Sequence, residues 1–197
     1  ASVGEAALMA AYEEAFAPFQ LIPSIVLLTR RDTADRDAYL HARDALERLL
    51  DLGIVPIVNE NDTVSVEQIR FGDNDTLAAL VACLVDATLL IILSDIEGLY
   101  DADPTISPHA ALVSHVQRID RAVMDAAGGP GSSAGSGGMV TKIRAARVMM
   151  AAGIPMAIVN GKETDNIAET AEGRCPGTLF ACSALPHEIT PRKLWLA

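Results

Sequence analysis

At 197 residues the chain is long enough for one domain, or for one domain and a fragment of another. Its formal charge of −11, from 15 Lys and Arg against 26 Asp and Glu, argues against a nucleic-acid-binding protein, which carries a basic patch or stripe, and against a protein seated on an anionic membrane surface. Half of the residues are hydrophobic and only 4% are aromatic, a makeup suited to a sheet covered by helices.

Taken in chain order, the apolar period switches between helix-like and strand-like. Residues 4–17 read as helix and 22–29 as strand. Tyr39, Ala42, Leu46, Leu49 and Leu50 share one face of a second helix, which Gly53 stops as a C-terminal glycine does. Residues 54–58 (IVPIV) form a short buried strand. NENDTVSVEQIRFGDND follows, crowded with short carboxylates and amides between two apolar segments. Asn and Asp bond to their own backbone and make turns, so turn and site both stand open for these two clusters, NEND and GDND. Residues 75–85 read as helix and 88–93 (TLLIIL) as strand. A strand over 113–119, a short helix over 122–127, a helix over 140–152, a strand over 155–159, a helix over 167–172 and an edge strand over 178–180 complete the series.

Strands without alternation, separated by helices, predict an α/β fold with a mostly parallel sheet and helices on both faces. In such sheets ligands bind beyond the carboxyl ends of the strands. NEND follows one strand, Ser94-Asp95 a second and Asn160-Gly161 a third, which gives the polar clusters a location. Cys83, Cys175 and Cys182 form no CxxC pair, the inventory of a reduced, cytoplasmic protein, and Cys83 falls in an apolar helical run. His41, His109, His115 and His187 show no metal-ligand spacing, so no protein metal site is expected. No basic n-region precedes an apolar stretch at the start. The apolar run over 76–93 is broken by Asp86 and reads as helix then strand rather than as a membrane span.

The one low-complexity stretch, GGPGSSAGSGG (128–138), leads through GMVTK to Lys142 at the start of a helix. Glycines admit an anion close to backbone N–H groups, and the helix N-terminus adds about half a positive charge. The alternative is a flexible connector. Neither the P-loop nor the dinucleotide G-x-G-x-x-G pattern fits: Thr141 precedes Lys142, no Gly adjoins it, and Val140 stands where the last glycine belongs.

Taken together, NENDTV, FGDNDTLAALVA, SDIEGLYDADP, GSGGMVTKIRAAR, AAGIPMAIVNG and GTLF, in this order over nearly the whole chain, resemble the glutamate 5-kinases of the amino acid kinase superfamily. The resemblance implies an open three-layer α/β/α sandwich and ATP-dependent phosphorylation of the L-glutamate γ-carboxylate in proline synthesis. It also implies a cytoplasmic homo-oligomer inhibited by proline. It places Asp62 and Asn74 at the glutamate-binding positions and Asp75 at the acidic position that organises charge around the transferring phosphoryl. Ser94 and Asp95 match the nucleotide-binding pair, usually Thr-Asp. Ser136, Gly137, Gly138, Met139, Val140, Thr141 and Lys142 match the phosphate loop, with Lys142 its catalytic lysine. Mg²⁺ is expected to ride on the ATP phosphates with few protein ligands.

The residue chemistry suits those roles. Asp62 supplies an anion for the substrate ammonium, and Asn74 can both donate and accept. Each has a plainer alternative: a turn for Asp62, a cap on the IEGLY turn for Asp95, a solvated helix lysine for Lys142. Asp101 and Asp103 read as turn formers before Pro104. The chain opens well downstream of the family's first strand and its two glycine loops. It is therefore expected to hold most of one kinase domain, without that N-terminal portion and without the PUA-like C-terminal domain that some members lack. The competing functions are a related acetylglutamate or carbamate kinase, and a non-catalytic module sensing glutamate or nucleotide.

Overall fold

The computed structural model describes residues 2–29, 32, 35–61, 73–128 and 138–181, with the side chains of residues 2 and 3 left aside. The chain divides into two compact units, Ala1–Leu80 and Val81–Ala197.

In the first unit, α1 (Ser2–Phe16) runs through a 3-10 turn (Ala17–Phe19) into β1 (Ile22–Leu28), and α2 (Arg36–Asp51) leads into β2 (Ile54–Glu60). The Asp35 carboxylate starts α2 by accepting from the N–H groups of Asp37 and Ala38, both at 3.0 Å, the usual role of aspartate at a helix start. Gly53, at φ +72, takes the left-handed conformation after the last turn, as expected from the sequence. Leu46, on the predicted apolar face, is wholly buried. β1 and β2 pair in parallel from Ile22↔Ile54 to Leu28↔Glu60. The strand therefore outruns the predicted 54–58: Asn59 and Glu60 belong to the ladder, and the Asn61 N–H still donates to the Leu28 carbonyl at 2.9 Å. The first three residues of NEND are thus extended rather than turned.

α3 (Asn74–Leu84) precedes the second sheet, whose strands are β3 (Leu90–Ser94), β4 (His115–Val116), β5 (Met156–Asn160) and β6 (Thr178–Phe180), in the order β3-β5-β6-β4. Its helices are α4 (Arg121–Ala126), α5 (Met139–Ala152) and α6 (Asp165–Ala171). β3–β5 and β4–β6 are parallel and β5–β6 antiparallel, so the α/β fold with mostly parallel pairing is as predicted. Two expectations are corrected. Residues 178–180 form no edge: β6 lies between β5 and β4, with Thr178 and Phe180 wholly buried. The strand expected over 113–119 shrinks to His115–Val116 because its partner is short, with only Leu179 and Phe180 opposite it. The core of this unit is Met156–Val159 on β5 with Ile143, Ala145, Ala146 and Met149 on α5, all at or below 1% exposure. It holds the carboxyl ends of β3 and β5 side by side.

Candidate active site

Among the described residues, the polar ones expected at the site sit at strand ends and helix starts. In the first unit, Asp73 opens α3: its carboxylate accepts from the Thr76 N–H at 2.6 Å. Its neighbours Asn74, exposed, and Asp75, half-buried, occupy the first helical turn. GDND is thus divided between a cap and two residues that the cap holds in place. Asp62 lies outside the described residues.

In the second unit, Ser94 ends β3 opposite Asn160, the last residue of β5. The Ser94 hydroxyl lies 3.3 Å from the Asp95 carboxylate, and the Ser94 carbonyl accepts from the Gly161 N–H at 2.8 Å. Asp95 is exposed. Among the described residues its carboxylate bonds to no backbone N–H of the IEGLY turn, so a capping role there finds no support. The turn is instead held by other groups. The Leu99 N–H donates to the buried Thr178 hydroxyl at 2.8 Å, and the Glu97 carboxylate accepts from the Tyr100 hydroxyl at 3.0 Å. The Glu97 N–H and the Tyr100 hydroxyl, with lesser help from the Asn160 amide and the Lys162 ammonium, hold the Glu97 carboxyl below the ordinary carboxylate range. The same hydrogen bond to Glu97 pushes the Tyr100 phenol up.

The YDADP segment is the turn former expected. Asp101 joins Ala111 through both backbone and carboxylate, and Asp103 accepts from the Thr105 hydroxyl at 2.6 Å and its N–H at 2.8 Å. Those two bonds lower the Asp103 carboxyl.

Gly138 is the residue before α5 and, having no side chain, places no cap of its own on the first turn. The Thr141 hydroxyl turns back onto the Gly138 carbonyl at 2.7 Å. Met139 and Val140 are half-buried. Lys142 is only 8% exposed, which removes the solvated-lysine alternative: a buried ammonium is stable only among groups that compensate its charge. Ser136 and Gly137 lie outside the described residues. Among the described residues no group of three or more His, Cys, Asp or Glu is placed to hold a metal ion. No helix among them is long and apolar enough to cross a membrane. Sequence reasoning missed Thr178 and Asp73; only Asp73 carried a signal, as an aspartate just ahead of an apolar helical period.

Residues 1–160 match the amino acid kinase family. The chain belongs to that family. Similar solved structures of the amino acid kinase fold include a UMP kinase from Ureaplasma parvum (14% identity, TM-score 0.58, covering 88% of this chain and 66% of that one). An isopentenyl phosphate kinase (19% identity, TM-score 0.58, 88% and 65%) is comparable. The chain is 50% identical over 199 residues to the glutamate 5-kinase of Pelobacter propionicus, covering all of this chain and 52% of that protein. It is 51% identical over 197 residues to that of Bordetella pertussis, with the same coverage. The chain thus spans about half the length of the curated relatives it matches.

Proposed function

We infer that this member of the amino acid kinase family acts as a glutamate 5-kinase, moving the γ-phosphoryl group of ATP to the γ-carboxylate of L-glutamate. The observation that carries the reading is the 50% identity, over the whole chain, to a protein of that name. A carboxylate oxygen of glutamate attacks the γ-phosphorus, the bond from that phosphorus to the bridging oxygen breaks, and its electron pair leaves with ADP. The product is glutamyl 5-phosphate, the first intermediate of proline synthesis. The nucleophile is already ionised near neutral pH, so no general base is required. The reaction asks instead for alignment and for positive charge around the moving group.

Lys142 and the N–H groups of Gly137 and Gly138 supply that charge, and the low local dielectric around a buried ammonium strengthens it. Ser136, Met139, Val140 and Thr141 complete the phosphate loop, and Ser94 and Asp95 hold the nucleotide. Asp62 pairs the substrate ammonium, Asn74 bonds the amino-acid headgroup, and Asp75 organises the charged groups around the transferring phosphoryl. Mg²⁺ carried on the ATP phosphates would add to the positive charge around the moving group, with few protein ligands. The working protein is a cytoplasmic homo-oligomer that proline inhibits. Against a related carbamate or acetylglutamate kinase stands that same 50% identity to a glutamate 5-kinase over the whole chain. Against a non-catalytic sensor stands the buried Lys142 at the start of α5.

The test is ADP release in a coupled assay with glutamate, N-acetylglutamate, aspartate and carbamate as acceptors. Release that depends on glutamate alone is expected. Faster release with acetylglutamate or carbamate overturns the assignment, and tight binding of ADP and glutamate without turnover makes the protein a sensor. In the same assay Asp62→Ala should raise the glutamate KM by roughly 10–150-fold, the range set by losing a charge-assisted hydrogen bond, with ATP affinity little changed.

A further inference from the structure

Two of the motifs that carry the family resemblance, AAGIPMAIVNG and GTLF, contain no residue assigned to a ligand. The structure brings both against the segment that holds Ser94 and Asp95. Turn 95–98 leaves the end of β3, and it is gripped at both ends. At its start the Ser94 carbonyl accepts from the Gly161 N–H at 2.8 Å. A Cβ on Gly161 would stand 3.0 Å from the Leu93 Cβ and 3.6 Å from the Ser94 carbonyl oxygen, so any side chain here would push the end of β3 by a few tenths of an ångström. At its far end the Leu99 N–H donates to the Thr178 hydroxyl at 2.8 Å, a bond between residues 79 apart in sequence. Thr178 is wholly buried, so no water can replace that acceptor.

The middle of the turn is equally close to its support. A Cβ on Gly98 would meet the Thr178 hydroxyl at 2.5 Å, and one on Gly177 would meet the carbonyl oxygen of Ile158 and, at 2.5 Å, that of Glu97. The support at the β5 end is itself fixed. The Asn160 carboxamide oxygen accepts from the Lys162 N–H at 2.9 Å, and the Asn166 amide donates to the Asn160 carbonyl at 3.0 Å.

We propose that Gly161 and Thr178 are positioning residues for the nucleotide, setting the placement of Ser94 and Asp95 through the two ends of turn 95–98. The proposal rests on the reading of Ser94 and Asp95 as the nucleotide-binding pair. It adds a specific cause for the two motifs: they hold a short polar turn to the fraction of an ångström that preorganised binding requires.

The experiment is calorimetric titration of the protein with ADP, well below every variant's melting temperature, alongside thermal unfolding. Thr178→Val keeps the shape and removes the acceptor from the buried Leu99 N–H. It is expected to weaken ADP binding roughly tenfold, the scale of a buried donor left unsatisfied. Thr178→Ser keeps the hydroxyl and should bind within about twofold of the unsubstituted protein even if it melts lower, because the lost methyl affects packing alone. Gly161→Ala, which leaves β6 untouched, is expected to weaken ADP binding to a similar degree. If Thr178→Val does not fold, Gly161→Ala decides. Unchanged ADP affinity in the folded variants, while Asp95→Ala weakens it, overturns the proposal and leaves the nucleotide reading standing. ADP affinity unmoved by both Ser94→Ala and Asp95→Ala removes the nucleotide reading and the proposal with it.

Discussion

A lysine's exposure separates two of its possible roles. At 8% exposed, Lys142 is too deeply placed for an ordinary helix-surface lysine, whose charge would face water. Lys142→Met keeps most of the unbranched side chain and removes the charge. It is expected to lower kcat by roughly 10²–10³-fold, the scale for losing one preorganised transition-state donor, with the glutamate KM nearly unchanged. A folded Lys142→Met protein with near-normal turnover would take Lys142 out of the chemistry. Cys83 shows the opposite use of burial. Desolvation first, and the Asp86 charge second, push its thiol up from 9.0 to about 11. Because the folded value lies above the unfolded one, this contribution to stability is complete below about pH 9 and is lost as the pH rises toward about 11. Urea unfolding of Cys83→Ala against the parent should show a smaller loss of stability between pH ~8 and ~10.5 in the variant. Parallel losses would mean that the thiol ionises as readily folded as unfolded.

Among the elements, α2 and α3 begin in the same way, each on an aspartate whose carboxylate accepts first-turn N–H groups. Their removal should cost similar stability and different function. Asp35→Ala and Asp73→Ala are each expected to lose about 0.5–2 kcal/mol in chemical unfolding. Only Asp73→Ala should also raise the glutamate KM, because Asn74 and Asp75 stand on the turn it caps; an unchanged KM would detach GDND from the substrate. The sequence made α2 legible because its apolar face repeats at the helical period and a glycine closes it. It made the strand-end locations of Ser94-Asp95 and Asn160-Gly161 legible because buried strands read as unbroken apolar runs. It hid the place of β6, since three residues carry no periodicity and their position is set by contacts of Gly177 with Ile158 and Glu97, far away in the chain. The extension of β2 through Glu60 was hidden too: Asn and Asp favour turns locally, and here pairing with β1 outweighs that preference.

At the scale of the whole chain, the charge of −11 over these 197 residues repels an anionic nucleotide at long range, and on the proposed reading Lys142 attracts its phosphates at short range. Salt acts unequally on the two. Exposed charges are screened beyond a Debye length of about 10 Å at 0.1 M, and buried ones much less. The association rate of ATP in stopped flow should therefore rise between ~10 and ~150 mM NaCl, with little change in dissociation. A falling rate would mean that a local basic field dominates the approach. The position of β6 has a bearing on the time axis of synthesis. A chain emerging from the ribosome presents β3, β4 and β5 before Thr178 exists, and the insertion of β6 between β5 and β4, antiparallel to the first and parallel to the second, has to wait for it. Until then His115 and Val116 lack the strand they pair with, and the Leu99 N–H lacks its acceptor. The segment bearing Ser94 and Asp95 is translated early and reaches its final form late. On the proposed reading of Ser94 and Asp95 as the nucleotide-binding pair, a nascent chain could not hold ATP in the mature way before the second sheet is complete, and ATP in turn would favour the chains that have completed it.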